Sequence, residues 1–419
     1  MDSLATAQAP PDAGATPETP QRLTVRDRLA MAVMVSGGWW MALIFTAIAP
    51  ILSTMSDQLG GEKNGYWIGQ LTMTIPDIGI IVGGPIAGLL VERYSARMLL
   101  FASFGLYAVA GAAGMIVDDG FSMLSTRLLV GLAGAGIATS TTALIGNRFE
   151  GTTRVRALGY WSAFGALGGF LSAMIAGWVA NFGGGWHAPF SLYGLAAIPL
   201  IMALFVLPAR KRPVAGAIKA EKIAVPSVWH LWPLYAGMIP VYVAVFMTGV
   251  QLSFLLGADK IGDPVTQSWV IATASGGSIL GAASFAFLRP RLGVKGAMIM
   301  FIALMAAGNL IMPMTHDPIF IAIGAAFNGA GGGMANPFFA AILIERAPVA
   351  ARGRAIGLLY TTQFFGEFMN PFVVTPLAGF LGIHGAFLAV SALLVAGGLG
   401  VVLHRRRGGK GKSANIASS

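Results

Sequence analysis

The sequence contains no cysteine, and only 11% of its 419 residues are charged. Without cysteine there is no disulfide, no thiolate metal site and no cysteine nucleophile. A soluble globular chain carries roughly 25% charged residues, so this one has less than half of what a well-wetted surface needs. A soluble single domain and a disordered chain are both excluded. No Gly-x-Ser-x-Gly elbow and no Gly-x-x-x-x-Gly-Lys loop occur, which argues against a hydrolase and against ATP as energy source. The five histidines (His187, His230, His316, His384 and His404) lie scattered near the ends of apolar stretches without His-x-x-x-His spacing, so neither a metal nor another cofactor is expected. The 57 glycines and 22 prolines follow no three-residue period, so the chain is not collagen-like.

What is present is apolar: 56% of the residues are hydrophobic, and that surplus must face lipid. About 20 helical residues cross a hydrocarbon core. Stretches of this kind occur at 29–55, 67–91, 98–117, 122–147, 157–180, 186–208, 230–257, 267–288, 296–313, 319–344, 355–381 and 384–404. They predict an all-α membrane protein of twelve transmembrane helices, without the ten-residue alternation of a β-barrel. Residues 1–28 read as a disordered cytoplasmic tail rather than a signal peptide. The remainder divides into a six-helix bundle over 29–208, a cytoplasmic linker over 209–229, a second bundle over 230–404 and a polar tail over 405–419.

The net charge of +10 tests this map. If the amino terminus is cytoplasmic and sides alternate, 24 of the 27 lysines and arginines fall in cytoplasmic segments. Lys63 and Lys260 fall on the other side, and Arg127 within a span. Insertion physics produces that asymmetry. The basic balance therefore reflects topology, not a nucleic-acid partner, and both termini are expected inside.

The chain also repeats. A shift of 198 residues overlays Gly83 on Gly281, Arg93 on Arg291, Gly131 and Gly134 on Gly329 and Gly332, and Arg148 on Arg346. Arg154-Val-Arg156-Ala157 meets Arg352-Gly-Arg354-Ala355 without a gap. Parallel six-helix repeats place a site near the midplane between the halves, and rocking of the halves exposes it alternately to each side.

The loop after the second stretch reads Gly88-Leu-Leu-Val-Glu92-Arg93-Tyr-Ser95-Ala96-Arg97. It resembles the signature Gly-x-x-x-Asp-Arg-x-Gly-Arg-Arg/Lys of the major facilitator superfamily, departing at Glu92, Ser95 and Ala96, and the resemblance extends over all twelve stretches. It implies a conformational gate of Gly88, Glu92, Arg93 and Arg97, in which the acid and arginine lock the outward-facing state. An ordinary basic loop that sets topology is the plainer alternative. In the fourth stretch, Arg127-Leu-Leu-Val-Gly131-Leu-Ala-Gly134 resembles the family's arginine and small-residue motif, whose arginine serves the proton pathway in proton-coupled members. Gly165-Ala-Leu-Gly168-Gly169 is similar to the antiporter signature Gly-Pro-x-x-Gly-Gly, lacking its proline and one spacer. Trp186-His187-Ala-Pro189-Phe190 is similar to drug-efflux members.

Three ionisable residues lie inside spans: Asp77, Arg127 and Glu367. Each costs at least ~2.5 kcal/mol at bilayer depth and should face protein or a water-filled cavity. With a rise of about 1.5 Å per residue, Asp77 lies about 15 Å and Arg127 roughly 7 Å from the outer surface. A pair between them is expected. Glu367 has no cation in its own half, because the repeat places Ala325 where Arg127 stands. A carboxylate so placed can take and release a proton as the cavity opens to each side. Asp77, Arg127 and Glu367 are thus the proton-coupling candidates, with a structural, hydrogen-bonded carboxylate as the alternative. Pro76 and Pro371 flank the two acids and can bend their helices.

Polar and aromatic residues in apolar spans sketch a substrate cavity: Trp39, Trp40, Tyr242, Gln251, Asn328, Asn336, Gln363 and Asn370. Amides at this depth need partners, across helices or in a ligand. The sequence thus predicts a secondary transporter of the cytoplasmic (inner) membrane, not an enzyme, acting as a monomer on a small-molecule substrate with protons as coupling ion. Export of a hydrophobic or cationic compound is the first reading, because the acids suit cations. Uptake of a small metabolite or organic anion, bound by Arg127, is the second. A membrane-embedded enzyme or receptor has no cluster or output domain to support it.

Overall fold

Spans start where a polar side chain can serve the free backbone N–H groups of a first turn. Thr24 and Asp27 form a reciprocal capping box, and Asp119, Asp263 and Asp317 each cap the helix that follows. The bond from the Ser122 N–H holds the carboxyl of Asp119 below the usual carboxylate range, so that cap stays ionised into more acidic solution than a free aspartate would. The structure, a computed structural model, describes residues 24–59, 61–207 and 227–414.

Among these residues ten helical stretches are long and apolar enough to cross a membrane. The first seven are α1 (Val25–Leu59), α2 (Asn64–Arg93), α3 (Ala96–Met115), α4 (Gly120–Arg148), α5 (Thr152–Phe182), α6 (Gly185–Val206) and α7 (Trp229–Ala258). Two of the remaining three, Pro264–Met314 and Arg352–Gly400, are of double length. Each is interrupted by a glycine of positive φ, Gly293 at 66° and Gly382 at 72°, a conformation that side chains with a Cβ disfavour. They therefore hold two spans apiece: α8 (264–292) and α9 (294–314), then α11 (352–381) and α12 (383–400), with α10 (Pro318–Arg346) between them. The total is twelve helices in two repeats of six.

The first helix begins at Val25, within the segment read as a tail, because the Thr24–Asp27 cap starts it early. Asp27 then pairs with Arg148 at 2.8 Å. Residues 1–23, and most of the linker with its cations Arg210, Lys211, Arg212, Lys219 and Lys222, lie outside the described residues. The end of the molecule carrying Arg93, Arg148 and Arg346 is called the basic end below.

Glycine seams hold each half together, and they repeat. In the first half Gly79 abuts Leu128, Gly131 abuts Pro76 and Gly83 abuts Leu132, joining α2 to α4. In the second half Gly277 abuts Ala326, Gly329 abuts Ala274 and Gly281 abuts Ala330, joining α8 to α10. Every member of the second set is the first shifted by 198 residues, as 277 is from 79. In lipid, such close backbone approach supplies the packing that apolar exclusion from water cannot. A methyl at Gly329 would overlap the carbonyl oxygen of Ala274, and that backbone cannot step aside. Gly329→Val is expected to reduce the monodisperse protein recovered by size exclusion to roughly a tenth of wild type. Gly88→Ala, with no atom within 4 Å of the added methyl, should leave recovery unchanged.

The halves meet away from the basic end. Among the described residues, the hydrogen bonds that cross between them join Ser53, Tyr66 and Gln70 to Ser253, Gln251, Gln267 and Thr375. All of these residues sit between mid-helix and the opposite end. Toward the basic end Gly84, Gly88, Gly353 and Gly357 of α2 and α11 face open space. The passage between the halves is thus closed at the opposite end and open toward the basic end.

Candidate functional site

A cavity of about 520 Å³ lies between the halves, with walls from α1, α2, α7, α8, α10 and α11. Phe45, Met73 and Phe246 make it apolar; Tyr242, Asn328, Asn336 and Gln363 add polar groups. The Tyr242 hydroxyl and Asn328 Oδ1 are buried with no hydrogen-bond partner among the described residues. Such groups at a cavity wall are free to receive a ligand. A larger, apolar pocket of about 630 Å³ sits inside the second half, lined by Pro233, Phe301 and Val390 among others. It touches no residue of the first half and is not on the passage.

A chain of hydrogen bonds leads from the cavity to the acid of α11. Asn336 Nδ2 donates to Gln363 Oε1 at 2.8 Å, and Gln363 Nε2 donates to Glu367 Oε1 at 3.0 Å. Gln363 and Glu367 stand one helical turn apart, on the same face. Pro371 cannot donate to the Glu367 carbonyl one turn back, and the helix is interrupted at Met369. Asp77, one turn along α2 from Met73, is fully buried, with neither oxygen bonded among the described residues. It lies close enough to Glu367 that the two charges would repel.

The internal repeat explains this meeting. Shifting Asp77 by 198 gives Ser275, and shifting Gly169 by 198 gives Glu367. Gly169 and Ser275 are neighbours across the other boundary between the halves, where α5 meets α8. The two acids thus occupy, where α2 meets α11, the positions that Gly169 and Ser275 hold on the opposite side of the pseudo-twofold axis. One boundary is acidic at this depth; its twin is neutral.

Beyond the acids, an amide cluster closes the passage. Gln251 Nε2 donates to both Gln70 Oε1 and Asn370 Oδ1 at 2.8 Å, and Tyr66 and Thr375 add hydroxyl donors at 3.2 and 2.9 Å. Here α7 loosens into a π-type turn over Met247–Gln251, a distortion frequent at functional sites. Ser53, Ser253 and Gln267 form a second layer nearer the opposite end.

The expected Asp77–Arg127 pair does not form. Pro76 packs on Gly131, so Arg127 stands one turn nearer the opposite end than Asp77, and an α-helical side chain leans toward its own N-terminus, here away from the acid. Its guanidinium lies instead over the rings of Phe190 and Tyr193, 5.1 and 4.7 Å from their centroids. Trp40 is likewise moved out of the cavity: it packs on Phe104 and Tyr107 in the core of the first half. Trp39 lies against Gly168 and does not line the cavity. Gln251 and Asn370 belong to the amide cluster rather than the cavity wall, whereas Tyr242, Asn328, Asn336 and Gln363 line it. At the basic end Glu92 and Arg93 are exposed and unpaired among the described residues. Arg97 lies over Phe101 at 4.9 Å.

Gln70, Tyr66 and Thr375 escaped the sequence reading; Gln70 was detectable as an amide in an apolar span, by the criterion that found Gln251. The histidines, scattered in sequence, are partly gathered here: His316 and His384 both contact Asp259.

A family model described as Major Facilitator Superfamily matches residues 30–258 and 234–418. The multidrug efflux pump Tap of Mycobacterium tuberculosis (strain ATCC 25618 / H37Rv) is 23% identical over 240 residues, covering 56% of this chain and 56% of that protein. The chain thus spans little more than half the length of that curated relative. The inner membrane transport protein YajR of Escherichia coli (strain K12) is 23% identical over 372 residues, 86% of this chain and 78% of that one. Among solved structures, a mutant of the nucleoside transporter NupG superposes with a TM-score of 0.73 at 14% identity, covering 91% of this chain and 99% of that chain, a likeness of fold alone.

Proposed function

The chain belongs to the Major Facilitator Superfamily, and from that premise we propose that it exports hydrophobic or cationic small molecules in exchange for protons. The observation that carries this reading is the hydrogen-bonded path from the cavity wall through Asn336 and Gln363 to Glu367, which lies near Asp77 across the boundary between the halves. Two nearby carboxylates resist being ionised together. A proton or a substrate cation can relieve them, so the two compete for one site, and competition of that kind makes an exchanger. Arg127, held over aromatic rings and without a hydrogen bond among the described residues, has no place on that path, which supports export over uptake of an organic anion. The likeness to Tap, named as a multidrug efflux pump, supports export.

The basic end is the cytoplasmic face of the inner membrane in this reading, with both termini inside. The form described here then receives solute from the cytoplasm. Gly88, Glu92, Arg93 and Arg97 act when that end closes, where the acid and arginine gain partners and hold the outward-facing form. The protein works as a monomer of two bundles joined by the 209–229 linker.

The test is transport in liposomes containing the purified protein, with ethidium as a cationic probe. An imposed pH gradient, acidic on the side that accumulates dye, is expected to drive uptake roughly tenfold above the gradient-free level, and a protonophore should abolish the difference. Dye movement indifferent to the gradient, or gradient-driven movement of carboxylates instead, would overturn the proposal.

A further inference from the structure

Three loops of the second half converge at the end opposite the basic one, and each brings a metal-ligating side chain. Asp259 follows α7, His316 lies between α9 and α10, and His384 opens α12. The side chain of Asp259 is 2% exposed, and its Oδ1 meets both Nδ1 of His316 at 2.7 Å and Nε2 of His384 at 2.9 Å. The other carboxylate oxygen, Oδ2, is buried with no partner among the described residues. Backbone bonds fix the aspartate: Lys260 takes a φ of 62°, and the next N–H, of Ile261, returns to the Leu256 carbonyl at 2.9 Å. The Lys260 side chain is exposed, so its ammonium can stay in solvent.

We propose that Asp259, His316 and His384 bind a divalent transition-metal ion of the zinc class. One donor atom from each residue lies within 4.8 Å of the others. Ligands of a tetrahedral zinc ion, bound at about 2.0–2.2 Å, stand about 3.4 Å apart, so each imidazole needs to withdraw from Oδ1 by about 0.5–0.7 Å while the donor atoms draw in to that common spacing. Two imidazole nitrogens and one carboxylate suit zinc, nickel or cobalt, and not the all-oxygen preference of magnesium or calcium. On binding, each ligating nitrogen offers a lone pair where it now directs an N–H at Oδ1, and water completes the fourth position. His316, with its side chain 77% exposed, gives the ion an entry path. The ion ties the α7–α8, α9–α10 and α11–α12 connections of one half together and does not bridge to the other half. This site is independent of the transport reading.

The experiment uses the full chain, purified without a histidine tag, titrated with zinc chloride by calorimetry and followed by thermal unfolding. About one zinc ion per chain is expected to bind, raising the melting temperature by about 5 °C at saturation, with no shift from millimolar magnesium. His316→Gln and the double variant His316→Gln/His384→Gln should melt near wild type without metal, and each replaced ligand should weaken zinc binding by at least about tenfold. Failure of the wild-type chain to bind zinc stoichiometrically overturns the proposal, and so does undiminished affinity in the double variant. If the double variant does not fold, Asp259→Asn supplies the same comparison.

Discussion

Glu367→Gln is expected to lower the proton-driven initial rate by at least about 100-fold while weakening the binding of a cationic substrate far less, because Asp77 remains to meet its charge. The asymmetry follows from the bonds that glutamine keeps. Its side-chain oxygen can still accept from Gln363 Nε2, so the path through Asn336 to the cavity wall persists. What disappears is the exchangeable proton. The variant should therefore bind ethidium and support slow exchange of bound for free dye, but no pH gradient should concentrate it. Asp77→Asn should abolish driven transport too, with a lower protein yield, because neither Asp77 oxygen has a partner among the described residues and a buried amide N–H would go unbonded. Gradient-driven accumulation at the wild-type rate in Glu367→Gln would remove the acid from the mechanism.

Ser53→Cys combined with Ser253→Cys is expected to stop transport on oxidation and to restore it on reduction. The two hydroxyl oxygens lie 3.3 Å apart across the boundary between the halves. Sulfurs in their place can approach the ~2.05 Å of a disulfide with a small adjustment of the helices. Since the chain has no native cysteine, no other disulfide can form within it. A bond there holds the opposite end shut while the basic end stays open, so substrate can enter but not leave. Transport should fall to roughly the protein-free background after oxidation, and each single-cysteine variant should keep the wild-type rate. Maleimide labelling reports the bond directly, with thiols reactive before oxidation and protected after it. A fully oxidised double variant that still transports would show that this end need not part, and alternating access through it would be lost.

Much of this architecture is legible in the residues because bilayer physics leaves little choice. A lipid-exposed backbone must satisfy its own hydrogen bonds, so each long apolar stretch becomes a helix. The twelve expected stretches reappear with boundaries displaced by a few residues, as where Thr24 and Asp27 start α1 at Val25 rather than Leu29. The repeat was equally readable, because glycines such as Gly131 and Gly329 serve the same close approach in both halves. The site was legible only in part. Glu367, Gln363 and Asn336 share helix faces or adjacent spans, and their residue types mark them as costly in lipid. The Asp77–Arg127 pair failed because depth along two helices says nothing of which way each side chain leans.

The sequence alone determined how many times the chain crosses the membrane, which end carries the positive charge and which half repeats which. Each of these depends on residue type and spacing along one helix or loop. Tertiary structure decided that Asp77 comes near Glu367, that Gln70 joins Gln251, Asn370 and Thr375, that Arg127 rests on aromatic rings, and that Asp259 gathers His316 and His384. These partners are separated by up to 305 positions in the chain. Their meeting depends on the rotation of each helix about its own axis and on how the halves dock, which close packing of glycine seams settles and local pattern does not encode.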